Sequence, residues 1–495
     1  MKTNTFFLIS LFWVAHLHGQ NAQVLLESVL KKLYAAADNR SITCPSIKPY
    51  AKLQTQVAWY DGASKTIFVE QKAIDACLSL GQTDAESALA FVIGHELIHA
   101  FQKERNRAAF AEHGCNDAQK YQKETDADVR GAFLAHLAQY KTRSLLPKIF
   151  TTLYHAYQFT DQQLPCYRTE NERQKTALMV QNKVDSLEKI FEAAQFLGLL
   201  GQYDASINCY KYILDYYRGS EVINDLAVML THRAMNTGGK TVDTFLLPLE
   251  MDADFRIAQL RAEPLSATER QVRERDLDQA LFYAREVLAT NKSNDLTRIN
   301  ITSILILKNN FQEAQKNSII LLKSRRFGQE GQLLNAIIDA LSGHKDKAKQ
   351  ALKDLSASPN TRVRLWATYN LSVLVGEKST FAVSEKCALP QPKAVDQVYS
   401  TASVHKLKMV RLNENSQIAW ENRAHSVVYA VNAEGGKKTT VQVVHQAIDN
   451  FDMTKLSAAC IVGQKSALIA TCRTCGLVFH VRPNGQVSYW AKVLN

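Results

Sequence analysis

Beyond its first twenty residues the chain has no window approaching eighteen consecutive apolar residues, so no transmembrane segment is expected in the mature protein. It also lacks a dense Lys/Arg tract or a basic stripe with interleaved aromatics. Nucleic acid is therefore not expected as a partner, despite a formal net charge of +11. That charge reads as a solvated surface bias, equally at home beside anionic lipids or glycans. The composition carries no mark of general disorder, with 46% apolar and 22% charged residues. Nor do 495 residues suit a single ordinary core; a chain this long predicts roughly two to four domains.

The one apolar run stands at the start, in MKTNTFFLISLFWVAHLHGQNAQ. Lys2 gives a positive beginning, Phe6 to Ala15 are apolar except for Ser10, and a polar stretch follows. This is the pattern of a secretory signal peptide over residues 1–19, cleaved near Gly19. No cysteine lies at that junction to carry a bacterial lipid anchor. Export would place the nine cysteines in an oxidising compartment, where some should pair, and an odd number leaves at least one thiol over. Cys472 and Cys475 form a CxxC with Cys460 and His480 nearby, but a second CxxC is missing. A disulfide among the three cysteines is expected there rather than a zinc ribbon. No βαβ pattern surrounds the pair, so a thioredoxin-type role has no support. His113, His425 and His445 have no partner at ligand spacing and are expected on the surface.

Residues 24–38, VLLESVLKKLYAAAD, predict a helix, and TQVAWYDG and KTIFVEQ predict two strands joined by a turn at Asp61-Gly62. Thr83 and Glu86 have capping-box spacing, Thr83 as N-cap of a helix through residue 102. A second helix is expected after Asn116. From about 185 to 375 the pattern is uniformly helical, and Ala280, Ala314 and Ala348 are spaced by 34 positions each. That is the tetratricopeptide period, in which a small side chain lets paired helices approach. The stretch GGKTVDTFLLPLEMDAD interrupts it as a degenerate or inserted segment. SVHKLKMVRL, TTVQVVHQAI and LVFHVRPNGQVSYWAKVL then read as strands of a β-rich C-terminal domain, the last a hairpin about Pro483-Asn484-Gly485.

Within AFVIGHELIHAFQ, His95 and His99 stand four apart and Glu96 follows the first. On a helix both imidazoles can aim at one point, which suits zinc, with Glu96 close enough to take a proton from a water activated there. Once protonated, the same carboxylate can supply the leaving amine. Gln102 and Arg105 exclude the extended pattern HExxHxxGxxH. The third ligand is therefore sought downstream, in ETDAD. Glu124 and Asp128 are again four apart, Glu124 fitting as ligand and Asp128 as the acceptor that orients a histidine.

VIGHELIHAF followed by ETDADVRGAFLA resembles the gluzincin metalloendopeptidases related to the HtpX and CAAX prenyl proteases. It looks closest to the soluble periplasmic branch, β-barrel assembly-enhancing protease-like, which joins such a domain to tetratricopeptide repeats. The resemblance covers roughly residues 25–180. It implies zinc on His95, His99 and Glu124, Glu96 as general base and Asp128 steadying a ligand. There are departures. Val129 stands where the family usually has Arg, with Arg130 one further on, and Tyr167 falls where a later His is usual, although Glu172-Arg173 is kept. Tyr167 could donate to a developing oxyanion or simply pack at the domain edge. Arg173 could pair with a carboxylate of the metal-site helix.

The sequence thus predicts a multidomain, mainly α protein. An α+β zinc peptidase domain would span 23–180, tetratricopeptide-like repeats 185–380 and a small β-rich domain 395–495. The expected activity is exported, zinc-dependent cleavage of peptide bonds, with one catalytic Zn2+ and protein or peptide substrates lying extended beside the 55–70 hairpin. The repeats would hold a protein partner. By resemblance, the setting is envelope protein quality control in the periplasm, the alternative being secretion from the cell. A different class of function is also open: a repeat-based binding or assembly scaffold whose zinc domain has little or latent turnover.

Overall fold

In the computed structural model, the residues described are 22–40, 42–51, 57–105, 117–158, 170–199, 201–236, 245–250, 267–377, 408–414, 416–422, 427–432, 438–444, 468–472, 477–481 and 487–494. The signal-peptide stretch, Tyr167, His113, His425, His445 and the Pro483-Asn484-Gly485 turn lie outside them. The chain divides into two units, Met1–Glu188 and Lys189–Asn495.

Apolar residues at helical spacing form α1 (22–37), which buries Leu26, Val29, Leu30 and Leu33 along one stripe. Three strands follow: β1 (Ser46–Tyr50), β2 (Ala58–Asp61) and β3 (Thr66–Glu70). The expected hairpin is there, β2 antiparallel to β3. Its loop is longer than a two-residue turn, and the Asp61 carboxylate accepts from the backbone N–H groups of Ala63 and Ser64, both at 3.1 Å. β1 was not anticipated: it holds Pro49 and pairs in parallel with β3, giving the order β1-β3-β2. β3 is central, with Ile67 and Val69 fully buried on one face. Phe68 faces the other way and stacks on Trp59 at 5.1 Å.

Helix α2 (Gln71–Leu78) leads to Gly81, whose φ of +94° turns the chain into α3 (Gln82–Arg105). The Gly81 carbonyl takes the first bonds of α3, from Asp84 and Ala85. The helix therefore starts ahead of Thr83, which lies in its first turn rather than at the N-cap position. α3 is apolar on almost every side, burying Leu89, Ile93, Leu97 and Ala100 among others, as befits the central helix of its unit. It packs along α4 (Asp117–Leu137), and α5 (Leu146–Tyr157) and α6 (Glu170–Leu199) follow.

The second unit continues with α7 (Tyr203–Leu214), α8 (Ser220–Asn236), α9 (Ala267–Thr290), α10 (Asp295–Leu307), α11 (Phe311–Leu321), α12 (Gly328–Leu341), α13 (Lys345–Leu355) and α14 (Thr361–Val375). Asn294, Asn310 and Asn360 cap α10, α11 and α14 by accepting from backbone N–H groups of the first turn. Each helix packs on the next, and α8, α10, α12 and α14 also touch in succession, forming one layer of the array. Ala280, Ala314 and Ala348 fall in α9, α11 and α13, each with no exposure. The interval seen in the sequence therefore falls on buried positions in alternate helices.

Residues 408–494 contribute a seven-stranded antiparallel sheet, ordered β4-β5-β6-β7-β10-β9-β8. Its strands are β4 (Lys408–Arg411), β5 (Gln417–Asn422), β6 (Val427–Asn432), β7 (Lys438–Val444), β8 (Leu468–Cys472), β9 (Leu477–Val481) and β10 (Val487–Leu494). β4, β7, β9 and β10 match strands expected from the sequence, while β5, β6 and β8 did not stand out. Among the described residues no helix is long and apolar enough to cross a membrane. Cys44, Cys77 and Cys209 are free thiols, the last two buried, and burial pushes the Cys77 thiol up to about 12. The side chains of the other cysteines lie outside the description.

If Ala314 is a packing contact of the array, Ala314→Leu should destabilise the protein by about 1–3 kcal/mol through overpacking. The exposed Ile319→Ala on the same helix should stay within about 0.5 kcal/mol of wild type. Urea unfolding followed by far-UV circular dichroism measures both.

Candidate metal centre

Two glycines decide how close α3 and α4 come. A Cβ at Gly94 would stand 2.9 Å from the Gly131 carbonyl oxygen, and one at Gly131 only 2.6 Å from the His95 backbone nitrogen. Such contacts between backbones leave no side chain to yield, so only glycine allows this crossing. The residue after Gly94 is His95, and Asp128 lies one turn before Gly131. The close crossing thus brings the histidine pair of one helix against the carboxylates of the other.

His95 Nε2 and His99 Nε2 are 3.0 Å apart. Glu124 completes a triangle, with Oε2 3.3 Å from His95 Nε2 and Oε1 3.6 Å from His99 Nε2. The three residues form a group able to hold a metal ion, each offering one ligand atom. Ligands about 2.1 Å from a tetrahedral zinc stand roughly 3.4 Å from one another. The distances are of that order, the two from Glu124 being to different carboxylate oxygens, and two imidazoles with one carboxylate are a donor set zinc accepts, so the residues fit the ion.

Each imidazole is also held by its other nitrogen. His95 Nδ1 lies 2.8 Å from Asp128 Oδ1, and Asp128 is 1% exposed. His99 Nδ1 lies 3.1 Å from Gln102 Oε1; Gln102 donates to Asp126 at 3.3 Å, and Arg130 donates to the same carboxylate at 2.9 Å. Burial opposes a charge on His95, but hydrogen bonds to Asp128 and Glu124 outweigh it and lift the imidazole to about 10. Glu124 shows the reverse balance. Burial raises its carboxyl, yet the two histidines hold it far below the usual range.

Glu96 is buried beside this group, contributing no ligand atom to it. Its carboxyl is raised, first by burial and also by Glu124, against the pull of His95, His99 and a hydrogen bond from the Tyr60 backbone. Tyr60 belongs to β2, an edge strand that packs on α3. A carboxyl raised in this way holds a proton more readily than an exposed one, the property a group that accepts and returns a proton needs.

The structure therefore brings together His95, Glu96, His99, Glu124 and Asp128. Arg173 falls on α6 with its side chain outside the description, and Tyr167 is not described at all. Gln102, Asp126, Gly94 and Gly131 were not identified as site residues from the sequence. The available signals were a glutamine one turn after His99 and glycines in helix interiors, where they are intrinsically unfavourable.

Gly131→Ala should force the helices apart, lowering stability by about 1–3 kcal/mol and weakening zinc binding at least tenfold. Asp128→Ala should keep the fold and weaken zinc binding about 10–100-fold. Zinc titration of chelator-stripped protein, with thermal melting alongside, reads both. In comparison with known proteins, no protein-family model matches the chain, and no curated protein is found to match it.

Proposed function

We propose that the protein is a zinc-dependent metalloendopeptidase of the gluzincin type, with His95, His99 and Glu124 as ligands. The observation that carries this reading is the 3.0–3.6 Å triangle of His95, His99 and Glu124 set beside a buried, non-ligating Glu96. A zinc ion there would supply Lewis acidity, activating a water at neutral pH and polarising a carbonyl. The chain's own residues do the rest. Glu96 removes the proton of the attacking water and returns one to the leaving amine. Asp128 and the Gln102–Asp126–Arg130 series fix the imidazole orientations. An extended segment of substrate lies along β2, the strand edge beside α3, which aligns its backbone for attack.

The helical hairpins of the second unit, with equivalent alanines 34 positions apart, support a tetratricopeptide-like array that holds a protein partner. The N-terminal apolar stretch supports export, and we place the protein in the periplasm on the strength of the family resemblance alone. Unfolded or misassembled envelope proteins are then the substrate class.

Glu96→Gln should retain one zinc per chain and lose at least a hundredfold in cleavage of unfolded casein. Metal analysis and digestion of the same preparation, with and without chelator, make the test. Wild-type protein carrying full zinc but cleaving no unfolded protein would overturn the peptidase reading and favour a scaffold.

A further inference from the structure

Helices of the array are joined by three to six residues from α9 onward, but α8 and α9 are separated by residues 237–266. A connection that long among short ones usually has work of its own. Its described part, Phe245-Leu246-Leu247-Pro248-Leu249-Glu250, forms neither helix nor strand and is buried throughout. Buried backbone outside secondary structure needs side-chain partners. Here they come from the layer formed by α8, α10 and α14.

Asn370 on α14 grips Leu246 at both ends, accepting from its N–H at 2.7 Å and donating to its carbonyl at 3.0 Å. Asn300 on α10 does the same to Glu250, accepting at 2.6 Å and donating at 2.7 Å. Asn224 on α8 adds a donation to the Glu250 carbonyl at 2.9 Å. Midway, Pro248 has a carbonyl but no N–H, and that carbonyl receives the Ser303 hydroxyl at 2.6 Å. Alternate residues are thus met along one edge, as a neighbouring β-strand would meet them. An amide stands where donor and acceptor are both present, and a hydroxyl where only an acceptor remains. Asn224, Asn300, Ser303 and Asn370 are each fully buried.

The Glu250 carboxylate meets Arg362 at 3.0 Å, and Arg362 also donates to Glu330 on α12 at 2.6 Å. Two buried carboxylates share one guanidinium. If residue 250 left, Arg362 would still be held by Glu330, so its charge would not be stranded without a carboxylate.

We propose that the face made by α8, α10, α12 and α14 is a peptide-binding groove that reads backbone. Residues 245–250 are its built-in occupant, displaced by an extended partner segment of the same chemistry: apolar residues about a proline, with a carboxylate two positions later. This goes beyond the peptidase reading and does not depend on it.

The test replaces residues 245–250 by a Gly/Ser stretch of equal length in the full chain and adds a labelled peptide with the sequence of residues 243–252. If circular dichroism shows the helices retained, the peptide should bind one-to-one and raise the melting temperature. Asn300→Ala in that background, or N-methylation of the peptide at the Leu246 position, should weaken binding at least tenfold. A folded variant that neither binds the peptide nor is stabilised by it would overturn the proposal. Should the variant fail to fold, hydrogen exchange on wild type decides. Amides of Leu246 and Glu250 exchanging at least a hundredfold faster than the α10 interior support a displaceable occupant, whereas exchange only on global unfolding makes the segment a fixed part of the core and refutes it.

Discussion

The contact between Gly94 and Gly131 is the constraint on which the candidate site rests. Helix pairs with ordinary side chains between them run about 8–10 Å apart. Removing both β-carbons at the crossing lets the backbones meet and puts His95 within reach of Asp128 and Glu124. That proximity, together with burial, shapes the electrostatics of the group. His95 is raised against the opposition of burial, Glu124 is lowered, and Glu96, where burial outweighs the pull of both histidines, is raised.

The two units solve a similar problem by different means. In the first, functional groups are positioned by side chains that reach between helices, and each imidazole is steadied from a second residue. In the second, an irregular segment is buried, and amide and hydroxyl groups on helices replace the strand that would otherwise satisfy it. Both arrangements spend polar side chains inside apolar surroundings, where they remain stable only if their partners are all present.

Much of this was legible at the level of single helices. His95, His99, Glu124 and Asp128 could be placed because spacing of four defines one face whatever the helix packs against, and Ala280, Ala314 and Ala348 stood out by their fixed interval and prove to be buried. Features that depend on which faces meet were harder to see. Gln102 matters through Asp126 of another helix, and Gly94 through Gly131, pairings a linear pattern does not encode. Strand β1 has too short and irregular an apolar pattern to announce itself. Residues 245–250 read only as an interruption, because their order comes from Asn224, Asn300 and Asn370, which lie far away in sequence. Asparagines buried in helix interiors, where they have little intrinsic preference, were the visible trace.

Tyr60 lends its backbone donor to Glu96 from the margin of the small sheet. Sheet margins invite unwanted pairing with other chains. Here one rung of the ladder is already closed by a carboxylate, which blunts β2 against self-association. Any strand that docked alongside would find the donor of residue 60 already engaged.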